Sequence, residues 1–212
     1  LWVNPAKENL IKNGKLSSMI HNNKEDFTKV IELAAKKKGF LPLLMEKDYY
    51  LTLILSRAHE LSEDLIFKGG TCLNKVYFSY YRLSEDLDFS MQLPASMLTR
   101  GIRRKAIQPV KDKIKGFIEQ FGIRLDETEE PGRNESKQYL YYFVYQSAVS
   151  PVEGRVKFEI GLRYNPILKT EKHVAKEILQ IFLKMDSMTA FIKEDFQIIK
   201  RKVDLKYKNK TI

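Results

Sequence analysis

The chain has 212 residues, of which 43% are hydrophobic and 11% aromatic, enough to pack a core and too many for a disordered chain. Lysine and arginine number 37 against 27 acidic residues, a formal charge of +10, which suits an anionic partner such as nucleic acid. The single cysteine, Cys72, excludes an internal disulfide framework and a cysteine-rich zinc site. The three histidines, His21, His59 and His173, lack metal-ligand spacing, and no apolar run approaches the length of a membrane span. A soluble cytoplasmic protein, with no membrane partner, is the expectation.

Residues 1–24 are polar and irregular, with turn residues at Pro5 and Gly14. Phe27, Val30, Ile31 and Ala34 then recur at helical spacing until Gly39, and Leu44, Leu51, Leu55 and Ala58 mark a second helix over 44–61. Leu65-Ile66-Phe67 reads as a buried strand that runs into Gly69-Gly70, and Thr71 is placed to N-cap a short helix reaching about residue 78. The stretch 86–91 alternates, with Leu87, Phe89 and Met91 on one face and Asp86, Asp88 and Ser90 on the other. A helix kinked at Pro109 is predicted over 99–121, and strands over 123–128 and 139–147. In the next strand Val156, Phe158, Ile160 and Leu162 claim the core face. Residues 174–185 read as a helix, and the remainder is Lys-rich. Interleaved helices and strands predict an α/β (α+β) fold with a mixed sheet flanked by helices. Its parts are an irregular segment 1–24, a core domain 25–165 and a helical, basic segment 166–212.

The chemistry concentrates between residues 67 and 90. Asp86 and Asp88, at i and i+2 on a strand, point the same way about 6.6 Å apart. Two such carboxylates either line a solvated face or bind a hard divalent cation through oxygen. Gly69-Gly70-Thr71 joins an apolar strand to a helix. Glycines allow close backbone approach, and a helix start offers unpaired N–H groups to phosphate. Lys75, at i+4 from Thr71, either reaches a phosphate or pairs with a carboxylate. Glu159 lies opposite the apolar face of its strand. It either meets water or, if its strand lies parallel beside the Asp strand, completes a set of three acids suited to two-metal phosphoryl or nucleotidyl transfer.

With these residues in place, the segment FKGGTCLNKVYFSYYRLSEDLDFS resembles the AbiEii/AbiGii toxin family of nucleotidyltransferases, whose signature is Gly-Gly-Ser/Thr, a spacer and Asp-x-Asp. Glu46-Lys47-Asp48-Tyr49-Tyr50 fits the family's preceding helix and VKFEIGL its third acidic strand, so the resemblance covers residues 25–163. It implies a DNA polymerase β-like nucleotidyltransferase core that uses a nucleoside triphosphate and Mg2+ (or Mn2+). Members are toxins of toxin–antitoxin or phage-abortive systems; some modify the tRNA acceptor end, and a cognate antitoxin controls them. Carried over by position, Gly69, Gly70, Thr71 and Lys75 would hold the triphosphate, and Asp86, Asp88 and Glu159 the metal. The family's later Arg-Asp-x-x-Asp-like motif does not occur before Ile212, and Lys176 does not align clearly with the Lys-bearing helix that precedes it. The alternatives are a catalytically silent nucleotide- or RNA-binding module and a small-molecule nucleotidyltransferase of the antibiotic-modifying type.

The basic residues Arg100, Arg103, Arg104, Lys105, Lys111, Lys113 and Lys115 form either a solvated helix face or a track for RNA phosphates. A second cluster runs from Lys200 to Lys210, and Arg82 precedes the acidic strand. Tyr139, Tyr141, Tyr142, Phe143 and Tyr145 read either as a two-sided sheet strand or as a stacking platform for bases.

Overall fold

The computed structural model describes residues 19–78, 83, 85–93, 99–163, 171–174 and 202–205. The expectations for residues 1–18, Arg82, Lys176, most of the helix over 174–185 and most of the Lys200–Lys210 cluster lie outside these residues.

Helix α1, Lys24–Lys38, follows from its sequence. Asn23 caps it by accepting from the Asp26 N–H at 3.2 Å, Glu25 and Asp26 occupy the first turn, and Lys36, Lys37 and Lys38 the last. Gly39, at φ 72°, ends it in the left-handed region. Helix α2, Pro42–Arg57, starts with proline in its first turn and is buried almost all round from Met45 to Ser56. It is shorter than predicted because the chain tightens into a 3-10 turn at Ala58–Glu60.

Strand β1, Leu65–Lys68, leads directly into helix α3, Gly69–Leu73, which widens into a π-helical turn over Asn74–Phe78. Thr71 therefore lies inside the helix; the cap position falls to Lys68, three residues earlier than expected, because Gly69 at φ 78° turns the chain there. Strand β2, Asp86–Gln92, is followed by helix α4, Arg100–Glu119, which Thr99 caps. The helix runs unbroken through Pro109. That residue and Lys105, whose carbonyl it leaves without a helical partner, are both exposed, so water can serve that carbonyl.

Strands β3 (Arg124–Asp126), β4 (Gly132–Arg133), β5 (Gln138–Tyr145) and β6 (Gly154–Arg163) complete the core. Two more strands, β7 (Glu171–Val174) and β8 (Lys202–Leu205), come from the segment expected to be helical. The sheet order is β3-β5-β6-β2-β1-β8-β7, with β4 on the edge of β5. It is mixed, as predicted: β2 pairs with β6 and β1 with β8 in parallel, the other pairs antiparallel.

One face of this sheet is the core. Phe67, Phe89, Phe158 and Phe143 form an aromatic row across β1, β2, β6 and β5, with successive ring centroids 4.9–5.4 Å apart. Leu87, Val156 and Ile160 fill in around them. The apolar stripes of α1, α2 and α4 are buried in the same cluster, so these helices cover that face. The opposite face carries Asp86, Asp88, Lys157 and Glu159. His21 ties the helices at one end: its Nδ1 lies 2.7 Å from the Tyr49 hydroxyl and its Nε2 2.9 Å from the Phe121 carbonyl. Burial pushes its imidazole below the ordinary histidine range.

Candidate active site

Strand pairing brings the three acids together. In the parallel β2–β6 pair, Asp88 is the backbone partner of Glu159, and Asp86 that of Lys157. Neighbouring strands lie about 4.8 Å apart, so Asp86, Asp88 and Glu159 share one patch of the face opposite the core. On the other side of β2, Lys68 is the antiparallel partner of Asp88. Burial and the Glu159 charge push the Asp88 carboxyl above the usual carboxylate range, against the opposing pull of Lys68 and Lys157. Lys157 stands between acids, its Nζ 3.4 Å from both Asp86 Oδ2 and Glu159 Oε2.

The glycine turn abuts this patch. A Cβ placed on Gly69 would run into the Asp88 carboxylate, and the φ of 78° disfavours any side chain. Gly69 thus serves close approach to the acidic strand. The Thr71 hydroxyl is buried and donates to the Asp86 backbone carbonyl, which ties the turn to the strand. Any anion at this turn would meet backbone N–H groups rather than that hydroxyl.

Gly69→Ala is expected to lower the melting temperature and abolish nucleotide-dependent activity together. The left-handed backbone alone disfavours a side chain by about 1–2 kcal/mol, and the added methyl displaces Asp88. Differential scanning fluorimetry with a transfer assay checks both; a variant with unaltered melting and transfer would remove the contact from the site.

Of the two roles open to Lys75, the structure shows pairing with a carboxylate. The side chain is fully buried, with Nζ 2.7 Å from Asp48 Oδ1 and 2.7 Å from Thr52 Oγ1. It braces the turn against α2 from below. Glu46, also from α2, accepts from the Ser147 hydroxyl and the Ala148 N–H, both at 2.6 Å. The motif Glu46-Lys47-Asp48 therefore fixes the helix to two separate parts of the core. Its middle residue reaches Glu85, one position before the acidic strand, at 2.7 Å.

The basic helix is placed less simply. Arg103 is buried, its Nη2 and Nε donating to the Glu135 carbonyl at 2.9 and 3.3 Å, so it is removed from the expected phosphate-facing set. Its carbonyl partner belongs to a turn in which Asn134, Glu135 and Ser136 all have positive φ. Lys115 pairs with Glu127 at 3.1 Å. Arg100, Arg104, Lys105 and Lys113 are exposed, but α4 packs on the sheet face opposite the acids. Tyr139, Tyr141 and Tyr145 are buried on the core face, and Tyr142 lies under the Arg155 guanidinium at 3.8 Å. This is the two-sided strand of the alternatives given above. Cys72 is buried, which pushes its thiol up to about 12 and fits a packing role.

Lys68 and Lys157 had escaped the reading of the sequence. Lys157 sits two residues before Glu159 on the same strand face, so the period-two pattern contained its signal; Lys68 ends β1 directly before Gly69. Among the described residues no three His, Cys, Asp or Glu side chains are arranged to hold a metal ion as they stand. The donor set nevertheless fits a hard divalent cation: it is all carboxylate oxygen, its backbone placement is shared, and a cationic group already lies between two of its members.

Residues 53–197 match the family described as nucleotidyl transferase AbiEii toxin of a type IV toxin–antitoxin system. The chain belongs to this AbiEii family. Among solved structures, it is similar to JHP933 from Helicobacter pylori, at 21% identity and a TM-score of 0.35, over 57% of this chain and 44% of that one. A second H. pylori protein, provisionally named a nucleotidyltransferase, is also 21% identical, with a TM-score of 0.29, over 69% of this chain and 47% of its own. The AbiEii chain described here thus spans less than half the length of either. No curated protein matches it. Within the family match lie all of the glycine turn, Asp86, Asp88 and Glu159. Among the described residues no helix is long and apolar enough to cross a membrane.

Proposed function

We propose that this chain is a nucleotidyltransferase that uses Mg2+ or Mn2+ to move a nucleoside monophosphate from a triphosphate to an acceptor hydroxyl, with release of pyrophosphate. The acceptor is an RNA of the tRNA kind, the setting is the cytoplasm, and a cognate antitoxin restrains the activity. The observation that carries this reading is the Asp88–Glu159 register, which sets three carboxylates beside a glycine turn on the sheet face opposite the apolar core. Asp86, Asp88 and Glu159 would hold the metal, which when bound supplies charge neutralisation and activation of the attacking hydroxyl. The backbone of Gly69, Gly70 and Thr71 would receive the triphosphate, with Lys75 positioning that turn from the core.

A small-molecule acceptor is the second reading. It is favoured by the placement of α4, which carries the exposed Arg100, Arg104 and Lys105 on the sheet face opposite the acids. Incubation with each labelled triphosphate, Mg2+ and total RNA separates the readings. Label on a discrete RNA band is expected. Triphosphate consumption without labelled RNA would favour the small acceptor, and no consumption would overturn the enzymatic reading in favour of a binding module.

A further inference from the structure

Lys157 occupies the centre of the acidic patch by backbone design. It is the register partner of Asp86 across the β2–β6 pair and lies two residues before Glu159 on the same strand face. Its ammonium is shared between two carboxylates at 3.4 Å each. The contrast with Lys75 is informative. That ammonium is fully buried and held at 2.7 Å by Asp48, a fixed structural pair. Lys157 is instead about a third exposed, with longer contacts.

Three carboxylates crowd this patch, and Lys68 is the register partner of Asp88. Without the Lys157 charge, Asp86 and Glu159, diagonal neighbours across the strand pair, would lose the ammonium that lies 3.4 Å from each. Like charges so placed repel, and a flexible lysine at the midpoint relieves that repulsion. A small cation of higher charge, attracted by the same oxygens, must take the place the ammonium holds.

We propose that Lys157 is a resident counter-ion of the acidic site, which keeps Asp86 and Glu159 together until a divalent cation displaces its ammonium. Loading the site is then an ion exchange rather than simple addition, and Lys157 is a positioning residue that sets the metal concentration at which the site fills. This inference rests on the reading of Asp86, Asp88 and Glu159 as metal ligands.

The test is calorimetric titration of the full chain with MnCl2 alone, together with thermal melting. Lys157→Met removes the competing charge, so Mn2+ should bind about tenfold more tightly or better, allowing for partial solvent screening of a charge a few ångströms away. The variant should also melt lower than the unaltered chain without metal and gain more from added Mn2+. Lys157→Arg keeps the charge and should bind Mn2+ much as the unaltered chain does. Unchanged or weaker Mn2+ binding in Lys157→Met overturns the counter-ion role; should that variant fail to fold, Lys157→Gln is judged by the same criterion. Asp88→Asn separates the two layers. Loss of Mn2+ binding in that variant upholds the ligand assignment, whatever Lys157 does. Binding equal to that of the unaltered chain removes the ligand assignment, and the counter-ion role with it.

Discussion

Asp88→Asn should lose nucleotidyl transfer by a factor on the order of 10³ or more and yet melt higher than the unaltered protein in the absence of metal. Both effects have one cause. Asp88 is half-buried, abuts Gly69 and has Glu159 as its register partner, so its negative charge is disfavoured in the folded chain. Its proton is therefore held more tightly folded than unfolded. The sign follows: as pH rises from the ordinary carboxylate range through the raised folded value, the folded state is destabilised relative to the unfolded one. Asparagine keeps the shape, removes the repelling charge and abolishes that decline. The proposed transfer needs the anion, so the same change should be ruinous there. The paired measurement is single-turnover transfer with labelled triphosphate and a melting series across acid to neutral pH. Retained transfer, or a melting temperature that falls at neutral pH, would contradict the placement of Asp88 as an electrostatically strained ligand.

Lys75→Met should destabilise the chain by about 3–5 kcal/mol, the usual loss when one member of a buried ion pair is removed. For a chain of this size that lowers the melting temperature by on the order of 10 °C. Asp48 is the reason. It is 2% exposed, and its Oδ2 has no hydrogen-bond partner among the described residues, so Lys75 offsets much of the cost of burying its charge. Methionine fills the space and leaves the carboxylate alone. The double change Asp48→Leu with Lys75→Met removes both charges, and should recover most of the lost stability. The double variant should also bind triphosphate less well than the unaltered chain, because the brace between α2 and the glycine turn is gone. Chemical denaturation of the four proteins completes the cycle; a single variant as stable as the parent would show the pair to be dispensable.

Much of the site was legible in the order of the residues. The alternation of Leu87 and Phe89 with Asp86 and Asp88 forces the acids onto the polar face, and the same logic places Glu159 opposite Phe158 and Ile160. What alternation cannot supply is which strands are neighbours. That pairing links segments some seventy residues apart and depends on how the whole sheet packs. Arg103 illustrates a signal that was present and outweighed. It lies four residues before Ile107 and seven before Val110, on the apolar stripe of α4, so its burial follows from helical spacing; its charge drew attention to solvent instead. For Lys75 two roles, phosphate contact and carboxylate pairing, were legible from spacing, and only its burial against Asp48 selects the second. The strand Lys202–Leu205 was hidden by its brevity, since four residues alternate by chance too easily to separate from a Lys-rich tail.

The parallel β2–β6 pairing has a consequence for how the proposed activity can be lost. A slip of one residue in that register would turn Glu159 and Lys157 away from the patch, but it would also push Phe158 and Ile160, both fully buried, out into water. The aromatic row would break with it. Small structural drift therefore has no partially working intermediate to occupy: the chain either keeps its acids aligned or ceases to fold. Inactivation in a lineage would come through replacement of an acid itself, leaving an intact scaffold with a silent site. On the proposed assignment, the identity of residues 86, 88 and 159, more than overall similarity, is thus the trait by which working and retired copies of this scaffold can be sorted.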